Sequence, residues 1–358
     1  MDQHFGNTYL NTAATGLLEP QVIEAANKFY SQLSVRGSSF AEQWRMEEEP
    51  AVRAIIASFI GAQPRNIAMV PNFSWALNGL VQSLKGTEKV MLYRQDYPSL
   101  TEPFKINNFN IKWIEAEDGF TLPIEQIKQS IANKEIDILA ISHVQYNTGY
   151  KLDIEEIGVL CNVHGVLFIV DATQSLGAIE ADMGRLQAGV FIASNYKWMN
   201  AGFGTGIMYM SDSFLEKYTP VVGGNNSYKN HEGAMMYLPS VQSYEPGHPN
   251  MSGLTILQAA IRHKMQLGIQ NVEKNNHRLT ALLLDEIKEL PIHLIGPYTM
   301  ADRAPMILLR DEDGLSAWLK QHNIVATNRN GIVRISTHYH NTDADVMQLV
   351  GCLYRKYG

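Results

Sequence analysis

Residues 170–210 read VDATQSLGAIEADMGRLQAGVFIASNYKWMNAGFGTGIMYM, and this stretch decides the fold. The run that leads into it, VLFIVD from Val166 to Asp171, is apolar up to its last residue, where a carboxylate stands in a place that must supply it with a partner. A second apolar run, FIAS, ends three residues before Lys197, and Lys197 lies 26 positions after Asp171. A lone Asp at a strand end is most often a cap or turn residue, and a lone loop lysine is most often a solvated charge. Both together, just past the ends of two successive strands, occupy the place where open α/β sheets bind their ligands.

Working outward, the pattern of short apolar runs continues on both sides. The expected strands are Ile67 to Val70, Lys89 to Tyr93, Ile111 to Ile114, Asp137 to Ser142, Val166 to Asp171, Val190 to Ala193 and Gly206 to Met210. Helical periodicity lies between most of them, at Trp75 to Leu84, Pro123 to Ala132 and Ile154 to Val163. Runs this uniformly apolar predict a mostly parallel, seven-stranded sheet covered on both faces. A loop-rich stretch from Val221 to Gly253 reads as irregular surface structure or a site wall. Beyond it, helices at Leu254 to Leu267, Val272 to Leu290 and Thr342 to Tyr354, with strands at Pro305 to Leu309 and Val333 to Ser336, form a smaller α+β unit. The domain expectation is therefore a large α/β domain over 15–253 and a small domain over 254–358 that also takes in residues 1–14.

Composition narrows the function classes. A chain of 358 residues with 45% apolar and 18% charged residues is globular, and no stretch approaches a membrane span. The opening residues MDQHFGNTYLNTAATG show no basic segment followed by an apolar run, so the expected setting is cytoplasmic. A formal charge of -7 without a Lys/Arg-rich run argues against a nucleic-acid partner. Only Cys161 and Cys352 are present, which leaves no disulfide framework, and no third ligand accompanies His338 and His340, so no metal site is expected.

An amine that can form an imine and an acid that can hold a pyridine nitrogen protonated are the two parts that pyridoxal 5'-phosphate (PLP) chemistry needs. With DATQS at 171–175 and ASNYKWMN at 193–200, the chain resembles the class V aminotransferase group of fold type I PLP-dependent enzymes, from about Leu10 to the last helix. That resemblance implies Lys197 as the Schiff-base lysine, Asp171 as partner of the pyridinium, and Gln174 as donor to the phenolic oxygen, with Ser194 and Tyr196 near the phosphate. In VPNFSWALNGLV, Phe73 and Ser74 fall at a helix N-terminus, where free N–H groups cradle an anion. In YRQDYPSLTEPF, Tyr97 takes the position of the ring that stacks on the cofactor, and in ISHVQYNTGY, Tyr146 stands where relatives place a smaller polar contact. The turn EPGHPNMSG, with His248 and Asn250, would reach the phosphate of a neighbouring subunit and so implies a homodimer with shared active sites. Arg334 in GIVRISTHYHNT would hold the substrate carboxylate, for which a guanidinium is better shaped than an ammonium.

The same cofactor motifs serve several reactions, so they do not name one. Cysteine desulfurases need a nucleophilic Cys shortly before the carboxylate-binding Arg, and HNIVATNRNGIVR at 322–334 contains none. The expectation is an aminotransferase working on amino acid and oxo acid substrates. A lyase or an epimerase is the alternative, and a non-catalytic PLP-binding protein comes third. Arg36, Trp44, Asn328 and Arg329 are expected to line the specificity pocket.

Overall fold

The computed structural model describes residues 6–238 and 240–358. Residues 1–5 of the opening segment and Pro239 of the loop-rich stretch lie outside the described residues. The first part of the chain runs β1 (Thr8–Tyr9), α1 (Pro20–Arg36), α2 (Ser38–Phe59), β2 (Ile67–Val70), α3 (Phe73–Ser83), β3 (Lys89–Tyr93), α4 (Pro98–Ile106) and β4 (Asn110–Ile114). It continues α5 (Ile124–Ala132), β5 (Ile138–Ser142), α6 (Ile154–His164), β6 (Leu167–Asp171), α7 (Met183–Leu186), β7 (Val190–Ser194) and β8 (Gly206–Met210).

Strands β2 to β8 form one seven-stranded sheet in the order β2-β8-β7-β6-β5-β3-β4. β8 runs against the other six strands, which are parallel to one another. These are the seven strands expected from the apolar runs, and the central ones are almost wholly apolar because both faces are covered. Tyr93, Leu139, Ile141, Phe168, Val170 and Phe191 pack against Ile127 and Ile157 on one face. Val90, Leu92, Ile138, Ala140, Ile169 and Ile192 pack against Leu77, Leu80 and Phe104 on the other. Each such side chain contributes roughly 1.5–3 kcal/mol relative to an exposed one. The alternation that marks a one-sided strand is absent for that reason.

The second part runs α8 (Asp212–Lys217), β9 (Tyr228–His231), β10 (Ala234–Tyr237), α9 (Met251–Leu267), α10 (Ile269–Ile287), β11 (Met306–Arg310), α11 (Leu315–Gln321), β12 (Ile324–Val325), β13 (Thr327–Arg329), β14 (Ile332–Ser336) and α12 (Asp343–Tyr357). An antiparallel sheet β11-β14-β13 buries Ile307, Leu309, Val333 and Ile335 against Leu279 and Leu283 of α10 and Val346 and Leu349 of α12. The N-terminal β1 pairs in parallel with β12 and sends Leu10 into this same cluster. Helix α12 opens with a capping box in which Thr342 and Asp345 exchange side-chain and backbone hydrogen bonds.

Two features differ from the sequence reading. The stretch after Val221 is not wholly irregular, since β9 and β10 pair as an exposed antiparallel hairpin. Helices α1, α2 and α4 were not expected, and Pro50 within α2 and Pro103 within α4 interrupt the pattern that would announce two of them.

Candidate functional site

The parallel strands β3, β5, β6 and β7 end on one edge of the sheet, and the chemically distinctive side chains collect there. Asp171 is the last residue of β6, in register with Ser142 of β5 and Ile192 of β7. Its side chain is buried, and Oδ1 accepts the Thr173 N–H at 2.8 Å. Burial pushes this carboxyl up to about 7, against the pull of the Thr173 hydrogen bonds and the positive charge of Lys197. Lys197 follows the end of β7 by three residues. Its side chain stays partly accessible, as a nucleophile must, yet the surrounding protein desolvates the amine and pushes it down to about 7. The Asp171 charge opposes that shift, whereas Arg334 and Arg329 add to it.

The backbone turn that carries Lys197 is held by close approach of two glycines. A Cβ at Gly16 would lie 2.0 Å from the Lys197 carbonyl oxygen, and one at Gly177, where φ is +93°, would lie 2.6 Å from the Trp198 oxygen. The Gly16 N–H donates to the Tyr196 carbonyl at 2.8 Å. Trp198 in turn fixes Gln174: its indole N–H, which can only donate, is 2.8 Å from Gln174 Oε1. That contact leaves Gln174 Nε2 as the free end of the amide, where it donates to the Ala13 carbonyl at 3.2 Å and keeps a second hydrogen.

On one side of Lys197 stands an aromatic wall. Its Nζ is 5.8 Å from the Tyr97 ring centre and 5.6 Å from that of Tyr196. Tyr97 meets Tyr146 edge to face at 5.3 Å, and Tyr196 stacks on Phe203 at 4.9 Å. Tyr97 is positioned by a residue that sequence reasoning passed over. The buried Asp96 carboxylate accepts from Tyr97 N, Ser142 N, Ser142 Oγ and Gln145 Nε2, tying the turns after β3 and β5 together.

The helix N-terminus expected to cradle an anion meets the same strand ends. Asn72, rather than Ser74, caps α3 by accepting the Trp75 N–H. The Phe73 N–H donates to Ser194 Oγ at 2.9 Å, and the Ser194 N–H donates to Thr173 Oγ1, so α3, β7 and the Asp171 turn meet here. His248 and Asn250 line a cleft of about 410 Å³ together with Trp75, Gly204 and Thr205. His248 is exposed, and Asn250 is engaged locally: it caps α9 at Gly253 N and donates to the Gly204 carbonyl.

Arg334 on β14 is buried and pushed down to about 10, chiefly by burial, so it stays cationic at neutral pH. Nη1 donates to the Tyr146 carbonyl at 3.1 Å, while Nε and Nη2 are buried without a hydrogen-bond partner among the described residues. Unpaired buried donors cost roughly 1–3 kcal/mol each, more for a charged group, and are kept where a ligand supplies the acceptor. The pocket expectation is only partly met. Trp44 is a core residue whose indole N–H donates to Thr255 Oγ1, and the exposed Arg36 is hydrogen-bonded to Gln43. Asn328 turns toward Asp311 and Ser316, whereas the charge of Arg329 is felt at Lys197, Tyr196 and Arg334.

Both cysteines are buried, Cys161 in α6 and Cys352 in α12, and burial pushes the Cys161 thiol up to about 12. Neither thiol is a ready nucleophile.

The family model described as Aminotransferase class-V matches residues 8–349. A probable cysteine desulfurase from Pyrococcus abyssi is 27% identical over 375 residues, covering 96% of this chain and 93% of that protein. An uncharacterized aminotransferase of Bacillus subtilis, YcbU, is 24% identical with the same coverage of both chains. Among solved structures, the apo cysteine desulfurase of Thermococcus onnurineus superposes with a TM-score of 0.90 at 24% identity, covering 98% of this chain and 94% of that one. The cystine C-S lyase C-DES, in complex with its product cysteine persulfide, superposes with a TM-score of 0.88 at 19% identity, covering 99% and 98%. At these identities the two structures establish a shared fold.

Proposed function

The chain belongs to the aminotransferase class-V family, a family of PLP-dependent enzymes, and from that premise we propose that it is an aminotransferase acting on an amino acid, with Lys197 as the covalent anchor of the cofactor. The donor set described above fits PLP. Lys197 offers the amine, Asp171 a buried carboxylate for the pyridinium nitrogen, Gln174 Nε2 a hydrogen for the phenolic oxygen, and Tyr97 a ring face. Phe73, Ser74, Ser194 and Tyr196 would hold the phosphate end, His248 and Asn250 would reach the phosphate of a neighbouring subunit, and Tyr146 would touch the cofactor beside Tyr97. Bound PLP supplies an electron sink at the carbon next to the substrate nitrogen.

The protein's own groups then have distinct tasks. Arg334 Nε and Nη2 bind the substrate carboxylate, and Arg334 Nη1 stays on the Tyr146 carbonyl, so the substrate is held against the aromatic wall. Lys197 Nζ, once released, takes the proton from the substrate α-carbon and returns it at a neighbouring carbon. The observation that carries this reading is the partly accessible Lys197 amine just past the end of β7, set between the Tyr97 and Tyr196 rings and desolvated by the protein around it. Transamination asks for nothing more than that base, whereas desulfuration also needs a thiolate, and both thiols are buried in helices. Elimination is the second reading. It would need an acid for the leaving group, and the hydroxyls of Tyr97, Tyr146 and Tyr196 are the candidates.

The deciding experiment is to add a panel of amino acids to the PLP-loaded protein and quantify products. Stoichiometric oxo acid with conversion of the bound cofactor to its amine form supports transamination. Release of ammonia or sulfide moves the assignment to a lyase, and an inverted amino acid moves it to an epimerase.

Two further outcomes are expected. Because the uncharged amine is the nucleophile, the rate at which the ligand-free protein takes up PLP should rise as pH rises through about 7 and level off above it. A stopped-flow pH series checks this, and a rate still climbing toward the ordinary lysine range near 10.4 would contradict it. Arg334→Ala should lower kcat/KM by about 10²-fold, mostly through KM, as the loss of a charge-assisted bidentate contact does. Steady-state kinetics with an amino acid and with its decarboxylated amine should show that penalty only for the amino acid.

A homodimer is part of the same reading. The β9–β10 hairpin exposes Tyr228, Met235 and Met236, and Trp75 and Phe203 are exposed close to the site, which suits a partner subunit covering this edge. Sedimentation equilibrium should return the mass of two chains, and a single-chain mass would remove the shared-site element.

A further inference from the structure

Beneath the lysine-bearing turn lies a buried group that nothing above uses. Lys264, in the last turn of α9, is 1% exposed, and its side-chain hydrogen-bond partners among the described residues are an amide and an imidazole. Its Nζ is 2.9 Å from Asn200 Oδ1 and 2.7 Å from His338 Nε2, and it sits 4.1 Å from the centre of the Tyr339 ring. His338 Nε2 is also 3.0 Å from the Trp198 carbonyl and 3.0 Å from Asn200 Oδ1, and its ring packs edge-on to Trp198.

The donors and acceptors order themselves. Asn276 Nδ2 donates to His338 Nδ1 at 3.2 Å, so the imidazole hydrogen sits on Nε2, where the Trp198 carbonyl can only accept it. Lys264 Nζ, 2.7 Å away, can share that single N–H with the carbonyl only through an amine lone pair, and an uncharged Lys264 also donates to Asn200 Oδ1. Burial supports this arrangement by pushing Lys264 well below the ordinary lysine range and His338 well below the ordinary histidine range. The charged and titratable groups that face the pair are Glu19 ahead of α1, His263 on α9, and Tyr339 and His340 after β14. Glu19 accepts the Tyr339 hydroxyl at 2.8 Å.

The groups gripped in this way are mechanically informative. Asn200 is in the left-handed region at φ +56°, its N–H donates to the Lys197 carbonyl, and its Nδ2 donates to the Leu17 carbonyl. Trp198 is the residue after Lys197 and the one that orients Gln174. His338 follows β14, four residues after Arg334. We propose that Lys264 is a positioning residue: with His338 it clamps the turn carrying Lys197 to the strand carrying Arg334, and so fixes the anchor lysine relative to the carboxylate-binding arginine. The inference rests on the assignment of Lys197 to PLP.

The test uses the PLP-loaded full chain. Lys264→Met keeps the aliphatic bulk and removes both hydrogen bonds. It should weaken PLP binding by about tenfold, displace the pH midpoint of the visible absorption of the bound cofactor, and lower kcat by about tenfold with KM within about twofold. Lys264→Gln, which restores a donor to Asn200, should recover part of each effect. Asn200→Gly retains the left-handed backbone while removing the gripped amide, and, should Lys264→Met not fold, it should itself show the displaced pH midpoint and the weakened PLP binding. Loss of thermal stability alone, equal with and without PLP, with the absorbance titration and PLP affinity of both variants unchanged, would make Lys264 a packing residue and overturn the inference. A parent protein that shows no visible band with added PLP overturns the Lys197 assignment and this inference with it, so the two failures are told apart.

Discussion

Lys197→Ala is expected to lower turnover by about 10³- to 10⁴-fold and to abolish the visible band of the bound cofactor, since one side chain is both covalent anchor and base. The fold should survive. Among the described residues no carboxylate lies within ion-pair distance of Lys197, and its amine is desolvated, so the ligand-free variant loses little on removal of the side chain. The pH dependence sharpens the prediction. The folded value near 7 lies below the unfolded value near 10.4, so the group's contribution to stability is full above the unfolded value and is lost as pH falls through about 7. The alanine variant is free of that loss. In thermal melts of the ligand-free proteins it should therefore gain on the parent as pH falls from about 10 to 7. A variant that keeps both the band and its activity would show that the cofactor is anchored elsewhere.

The sheet was readable from the chain because seven runs are mostly apolar, the signature of a layer covered on both sides, and the seven strands fall on those runs with boundaries shifted by a residue or so. The strand ends were readable for a related reason. Asp171 closes a run where a charge is costly, and Lys197 follows another. What could not be read is what depends on contacts between distant segments. Gly16 looks like any loop glycine until the Lys197 carbonyl is found 2.0 Å from where its Cβ would be. Lys264 lies in a helix whose pattern gives no reason to bury it, and its partners come from positions 200 and 338. Asp96 was overshadowed by its neighbour Tyr97, although its four hydrogen bonds hold that ring's turn in place. Trp44 is the opposite case: its place in the N-terminal segment reads as part of the pocket, but it fills the core between α2 and α9.

Asp171→Asn should separate stability from activity more cleanly than any other substitution at the site. The folded carboxyl titrates near 7, raised from an unfolded value near 3.9, so its contribution to stability is full below about pH 4 and is lost as pH rises through about 7. An asparagine accepts the same Thr173 N–H and carries no charge to desolvate. The ligand-free variant should accordingly be more stable than the parent, by an amount that grows between about pH 4 and 8 and reaches on the order of a few kcal/mol. With PLP the order reverses, because a cationic ring nitrogen would pair with the parent's carboxylate and pull its proton affinity back down, and the amide offers no such charge. PLP should then stabilise the parent more than the variant, and turnover of the variant should fall by about 10²- to 10³-fold, the scale at which removing one preorganised charge acts on a transition state. Paired melts with and without PLP, read beside kcat, test both halves. If the variant were less stable than the parent without PLP, the buried carboxylate would be a structural hydrogen-bonding group, and its assignment to the cofactor would lose its physical basis.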